Sequence, residues 1–461
     1  MANANGAIDL DGSKANQTLT PARRPRRDGL ILLAIGAVAF IAIGLAWKHL
    51  SLIDMGDFKV VYYSARCLLQ HGNPYSEQDV LRIYNAEGRE RATEPVLDRE
   101  VKTRFFYPPT AFILTIPVAA LGFTAAKLLW TILCAGVFIV AALLIYDVAA
   151  DYAPLLSGLL CGLLLAGSFW LFMIGNSAAI AVGLCTIATW CFYRERFMAA
   201  GVLCLALSLA LKPNDSGLVW LFFLLVPTFR KRALQSLALL AVLSFPFLIW
   251  VTRIAPHWLP ELRTNMASFS GTGGIVDPGL TGMAGRNMDC IVQLQTAVSV
   301  FFAEPAAWSI ITWLICAPLL LYWIYRTLRM RPTVPAIWLC LAAAAPLTVL
   351  PTYHFQHDAK LLLIAIPACA MLWTKRDRTA RLALFITLAA ILINGDILSA
   401  ARILLTRSII VPQAGFLNHL ATLILTRPSP LILLAMALFY LVQLRPASTA
   451  IAASPTPEVI K

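Results

Sequence analysis

The chain has 461 residues, of which 59% are hydrophobic and only 13% charged. That composition, with apolar runs recurring from end to end, excludes a soluble globular enzyme and points to a polytopic membrane protein. The formal charge of +13 does not read as a nucleic-acid surface: the bases sit in the N-terminal tail and in short clusters between apolar runs, the pattern of basic cytoplasmic loops.

Backbone groups in lipid must be satisfied internally, and these runs are helix-length without alternating polarity, so the chain is predicted to be all-α and not a barrel. Residues 1–28, rich in Asn, Ala, Ser and Pro and ending in Arg23, Arg24, Arg26 and Arg27, read as a disordered cytoplasmic tail. The run from Leu30 to Trp47 is long for a signal-peptide core and has no clear cleavage site after it, which predicts an uncleaved first helix. Asp57 then emerges on the outer side.

The rest is organised around the polar stretch Met55 to Tyr75, MGDFKVVYYSARCLLQHGNPY. Between Asp57 and Arg104 stand eight acids and eight bases, with enough Tyr, Leu and Val for short amphipathic helices on the membrane surface, so 57–106 is expected to be a structured outer loop. Tyr107–Leu121, interrupted by Pro108, Pro109 and Pro117, decides the parity of every later crossing. The clusters Arg194/Arg196, Arg230/Lys231/Arg232, Arg326/Arg329/Arg331 and Lys375/Arg376/Arg378/Arg381 all face the cytoplasm only if that piece dips in from outside without crossing.

The crossings expected on this parity lie near 30–47, 124–147, 153–173, 177–193, 197–211, 215–229, 233–251, 306–325, 334–351, 359–374, 380–394 and 429–444. They form one transmembrane domain, 29–445, of about 11–13 helices, with a long outer loop at 253–304 and a second disordered cytoplasmic tail at 446–461. The ten cysteines mostly fall inside apolar runs, without CxxC or metal-ligand spacing, and read as packing residues. A disulfide between Cys67 and Cys290, both in outer loops, stays open. No internal repeat is evident.

The polar groups of interest fall at run ends on the outer face. Asp57, after a glycine at the membrane surface, suits a general base, or simply an N-cap for Val60–Leu69. Lys212, in Lys212-Pro213-Asn214-Asp215 between two short apolar runs, suits a phosphate; the plain alternative is a snorkelling turn lysine, with Asp215 as a cap. Gly175-Asn176-Ser177 needs no function as a turn. Tyr353 to Lys360 packs His354, His357, Asp358 and Lys360 directly before an apolar run, a costly density unless used. The i, i+3 histidines with Asp358 mimic part of a metal site, but no HExxH or third strong ligand is present, and phosphate or sugar hydroxyls fit better. Arg286, in the Gly-rich 253–304 loop, is a candidate anion contact or a solvated arginine.

In order, the membrane-exit Gly-Asp-Phe, a Tyr-containing helix, Gly-Asn-Pro-Tyr, Phe-x-Tyr-Pro-Pro, a Gly-Asn turn, Lys-Pro, and His/Asp before Leu-Leu-Leu resemble glycosyltransferase family 87, membrane enzymes of the GT-C fold. The likeness runs from Asp57 to about Pro367. Where members often show Gly-Gln-x-Asn, this chain has Gly175-Asn176-Ser177. The resemblance implies inverting transfer of a hexose, often mannose, from a polyprenyl-phosphate sugar to a glycolipid or glycan acceptor, at the outer face of the plasma (inner) membrane.

Asp57 matches the family's catalytic position. Lys212, His354, Arg286 and Lys360 are the candidate donor-phosphate ligands; Tyr63, Tyr107, Asn176, Asn214, His357 and Asp358 are the candidate substrate contacts. The chemistry calls for no nucleotide, redox cofactor or metal. The rival reading is a transporter or lipid flippase, which should place its ionisable groups near mid-membrane.

Overall fold

The computed structural model describes residues 23–50, 55–88, 104–271, 274, 276–279, 290–406 and 415–444. Among these the regular structure is helical, and the β pairing is an isolated antiparallel bridge between Ile291 and Phe355. α1 (Arg23–Leu50) and α2 (Gly56–Leu69) are followed by α3 (Glu77–Gly88), a 3-10 turn at Pro109–Ala111, α4 (Phe112–Ala119) and α5 (Phe123–Ala149). α6 (Pro154–Ala166) and α7 (Phe169–Ile174) form one interrupted span. After it come α8 (Ala178–Tyr193), α9 (Met198–Leu211), α10 (Pro213–Leu225) and α11 (Pro227–Ile254). Beyond α12 (Trp258–Ser270) and the single turn α13 (Gln295–Val298) lie α14 (Pro305–Arg329) and α15 (Val334–Val349). A 3-10 segment at Asp358–Ala365 leads into α16 (Ile366–Trp373), α17 (Arg378–Ile393), α18 (Asp396–Thr406), α19 (Phe416–Thr426) and α20 (Pro428–Gln443).

Prolines punctuate this order. Pro154, Pro213, Pro227, Pro305 and Pro428 each open a helix, where the missing N–H has no partner to lose. α1 starts at Arg23, inside the stretch expected to be a tail, and the expected loop at 253–304 holds helix α12. The remainder of both expected tails lies outside the described residues.

Among the described residues, five helices are long and apolar enough to cross a membrane: Arg24–Trp47, Phe123–Ala149, Pro154–Ile174, Pro227–Ile254 and Pro305–Arg329. Two bent pairs, α17 with the start of α18 (63°) and α19 with α20 (78°), would bring the number to seven if each is one span. The further crossings expected from the sequence fall on shorter pieces: Ala178–Tyr193, Met198–Leu211, Val334–Val349, α10, and the 3-10 segment with α16. Sixteen residues, as in α8 and α15, rise only about 24 Å, less than the ~30 Å of a hydrocarbon core. These helices sit inside the bundle, where protein can satisfy their ends, whereas α11 and α14 leave Val242, Phe245, Leu314 and Leu321 exposed as lipid-type surface.

α1 packs closely along α6 through facing glycines. A Cβ on Gly36 would overlap the backbone of Gly162, and one on Gly158 would overlap Gly29, the small-residue contact that lets membrane helices approach. At one end of this pair Arg26 pairs with Asp151, and the Tyr146 hydroxyl donates to the Arg26 carbonyl at 2.5 Å. Arg194, at the end of α8, reaches Asp147 and Asp151, each at 3.0 Å. The start of α1, the end of α5 and the end of α8 therefore share a face, and the chain between α1 and α5 makes no net crossing. Residues 107–121, expected to dip in from outside, lie within that stretch. At the opposite end, the Met55 amide donates to the Met173 carbonyl at 3.2 Å, joining the exit from α1 to the end of α7. Cys67 and Cys290 are not joined in a disulfide; the Cys67 sulfur lies against Gly72.

Candidate functional site

Four interruptions of the helical path converge on that second face. Met55 takes a left-handed backbone (φ 56°, ψ 42°) ahead of α2, and Gly175 takes another (φ 65°) at the end of α7. A Cβ on Gly175 would press on Met55 and Phe58, so the two corners are packed together and only glycine fits the second. Lys212 lies in the break imposed by Pro213, which disfavours helical backbone at the preceding residue; Lys212 stands at φ −143°, ψ 83°. The fourth element is the segment 353–358, laid against 290–292 by Val292 N–H to His354 O (3.0 Å) and Gln356 N–H to Cys290 O (2.8 Å).

Asp57 is not the cap of α2. Met55 holds that position and Asp57 stands in the first turn, where the helix dipole favours a carboxylate. Its Oδ2 accepts from Asn176 Nδ2 at 2.5 Å, and the same amide nitrogen lies 3.0 Å from His357 Nε2. The Asn176 side-chain oxygen accepts from the Ala178 amide at 2.8 Å, closing an Asx turn. Burial raises Asp57 above the usual carboxylate range, against the opposing pulls of the Asn176 bond and Lys212. Burial likewise lowers His357 to about 3, so its imidazole is neutral and Nε2 can accept.

Beside this pair lies a buried charge network. Lys212 Nζ donates to Asp358 Oδ1 at 2.5 Å and stands 3.6 Å from Asp215 Oδ2. Asp215 Oδ1 faces His354 Nε2 at 3.5 Å, Asn214 Nδ2 approaches the same nitrogen at 3.1 Å, and His354 Nδ1 faces the Thr352 carbonyl at 3.1 Å. Asp358 Oδ2 accepts from the Phe355 amide at 2.9 Å. His354, Asp215 and Asp358 are only 0%, 1% and 2% exposed, so their charges need partners within the protein. Burial opposes the Lys212 charge, but Asp215 and Asp358 together hold its pKa above the ordinary value. His354 is likewise held above its ordinary value, Asp215, Asp358 and the Thr352 carbonyl outweighing burial. Tyr107 closes one side, its hydroxyl 2.9 Å from Ser177 Oγ. Its pKa is pushed up to about 12, chiefly by burial.

No family model, curated protein or solved structure matches the chain.

Of the residues singled out in the sequence, Asp57, Tyr107, Asn176, Lys212, Asn214, His354, His357 and Asp358 come together. Lys360 does not. Its ammonium donates to the Gly167 and Asn394 carbonyls, each at 2.7 Å, and to Asp396 Oδ1 at 3.0 Å, which uses all three hydrogens. Asp396 Oδ2 in turn accepts from the Trp170 amide at 2.7 Å, so the pair pins the α6–α7 break to the α17–α18 bend. Tyr63 packs among Tyr62, Tyr84 and Phe123. Arg286 lies outside the described residues. His354 and His357 turn to different partners, and no group of three His, Cys, Asp or Glu among the described residues is arranged to hold a metal ion.

The sequence reading missed Asp215 as a network member, Ser177 as the partner of Tyr107, and Asp396. Lys212 and Asp215 at i, i+3 across a helix start were a usable signal. So was Asp396, an acid between apolar runs that demands a partner.

Proposed function

We propose that the protein is an integral-membrane inverting glycosyltransferase that moves a hexose, such as mannose, from a polyprenyl-phosphate sugar to an acceptor hydroxyl on a glycolipid or glycan. The observation that carries this reading is Asp57, a carboxylate with raised proton affinity, one oxygen fixed by Asn176, beside a buried network in which Lys212 and His354 face Asp215 and Asp358. Asp57 accepts the acceptor's hydroxyl proton as the oxygen attacks the anomeric carbon. The bond from that carbon to the phosphate oxygen breaks, its electron pair leaves with the polyprenyl phosphate, and the sugar inverts. Lys212 and His354 offset the charge gathering on the leaving phosphate in a site screened from bulk water.

A single observation favours a second reading, a transporter or lipid flippase: the Lys360–Asp396 pair bridges two interrupted helices, a feature of transport pathways. The two readings separate in detergent, where there is no compartment to transport into. Purified protein incubated with a panel of polyprenyl-phosphate sugars and acceptors should yield a glycosylated product by mass analysis. Donors left intact throughout would exclude the transferase.

A further inference from the structure

Asn176 was a candidate substrate contact, but its carboxamide is already committed. One amide hydrogen serves Asp57 Oδ2 at 2.5 Å, the other serves His357 Nε2 at 3.0 Å, and the oxygen takes the Ala178 N–H at 2.8 Å. A carboxamide has two donors, and one protein partner already occupies its oxygen, so neither donor remains for a sugar hydroxyl. Asn176 is 4% exposed, while Asp57 beside it is only half-buried, so Asp57 is the more open of the two. We infer that Asn176 is a positioning residue that locks Asp57 through Oδ2, presenting Oδ1 to the acceptor hydroxyl, and fixes His357 as a neutral Nδ1–H tautomer. The inference deepens the glycosyltransferase reading and rests on it for the role of Asp57.

The physical reason is twofold. A donated hydrogen bond favours the ionised carboxylate, partly offsetting the burial that raises the proton affinity of Asp57. It also removes the rotation that would otherwise let the base turn away from its substrate. The other groups that bear on the Asp57 charge are Lys212, Asp358, Tyr107 and Tyr353. Lys212 and Asp358 are paired with each other.

Asn176→Ala tests the role against simple substrate binding. The expected result is a kcat about 10- to 100-fold lower, donor and acceptor KM within about twofold, and the acid limb of the pH–kcat profile moved upward by about one unit. A raised KM with an unmoved limb would overturn the inference and make Asn176 a substrate ligand. Should the alanine variant fail to fold, Asn176→Asp serves: its carboxylate would have to share a proton with Asp57, again lifting the acid limb, and a profile identical to wild type overturns the inference.

A thermal double-mutant cycle reads the same coupling without any donor. Asp57→Asn should raise Tm more in the Asn176→Ala background than in wild type at neutral pH, because an ionised Asp57 without its donor is the costlier state. Additive shifts contradict the lock. Absent transfer in wild type sinks the transferase reading instead, and the cycle still decides whether Asn176 holds Asp57.

Discussion

Lys212 and Asp358, 146 residues apart in the chain, meet at 2.5 Å inside the bundle. The lysine at a proline break between two apolar helices is thus part of a buried ion pair, with Asp215 behind it at 3.6 Å. An ammonium so held presents its charge from a fixed point, which suits a leaving phosphate better than a mobile surface lysine does.

Breaking that pair leaves an uncompensated buried charge. Lys212→Met, which strands both Asp358 and Asp215, should cost about 3–5 kcal/mol, Asp358→Asn less because Asp215 still faces the ammonium, and the double variant less than the sum of the two. Thermal unfolding in detergent checks this; additive losses would mean that the two side chains do not interact.

Lys360 gives the contrasting case. Lys360→Met should also destabilise, by about 3–5 kcal/mol, because it strands Asp396 and two carbonyls at the junction of two interrupted helices. In the fraction that folds, donor KM should be unchanged, whereas Lys212→Met should raise it. Steady-state kinetics with varied donor separate the two lysines, and a raised donor KM for Lys360→Met would contradict its purely structural role.

Asp57 should carry a stability penalty for its function. Its folded pKa lies above the unfolded value, so the ionised form destabilises the fold at neutral pH, and the penalty disappears below about pH 4, where both states are protonated. Asp57→Asn is therefore expected to raise Tm at pH 7 and to lose that advantage as the pH falls. Melting curves across this range check the sign.

Much of this arrangement could be read from the sequence because it is written locally. Apolar length and proline position mark the helix starts, and they left Asp57, Lys212 and His354 at run ends. The pairings were not legible, since no local pattern says that Lys212 meets Asp358 or that Lys360 meets Asp396. Adjacency misled at Lys360: two residues after Asp358 in a 3-10 segment, it points about 240° further round the axis, toward the α6–α7 break and away from the cluster. The cap reading of Asp57 failed for a similar reason. It assumed a helix starting at Val60, whereas the left-handed Met55 starts it at Gly56.

The path of the chain makes a separate forecast. In a background without native cysteines, Lys231→Cys and His257→Cys, at the two ends of α11, should label from opposite sides of the membrane, and Lys231→Cys and Arg196→Cys from the same side. Labelling of all three from one side would mean that α11 does not cross.

The central claim is that Asp57 is the base for sugar transfer, and it is tested most directly by the turnover of Asp57→Asn beside wild type with a polyprenyl-phosphate hexose in detergent. Wild type should transfer the sugar with inversion, and the near-isosteric variant should stay folded while its turnover drops by about 10²–10⁴-fold. Equal turnover in the two proteins would contradict it.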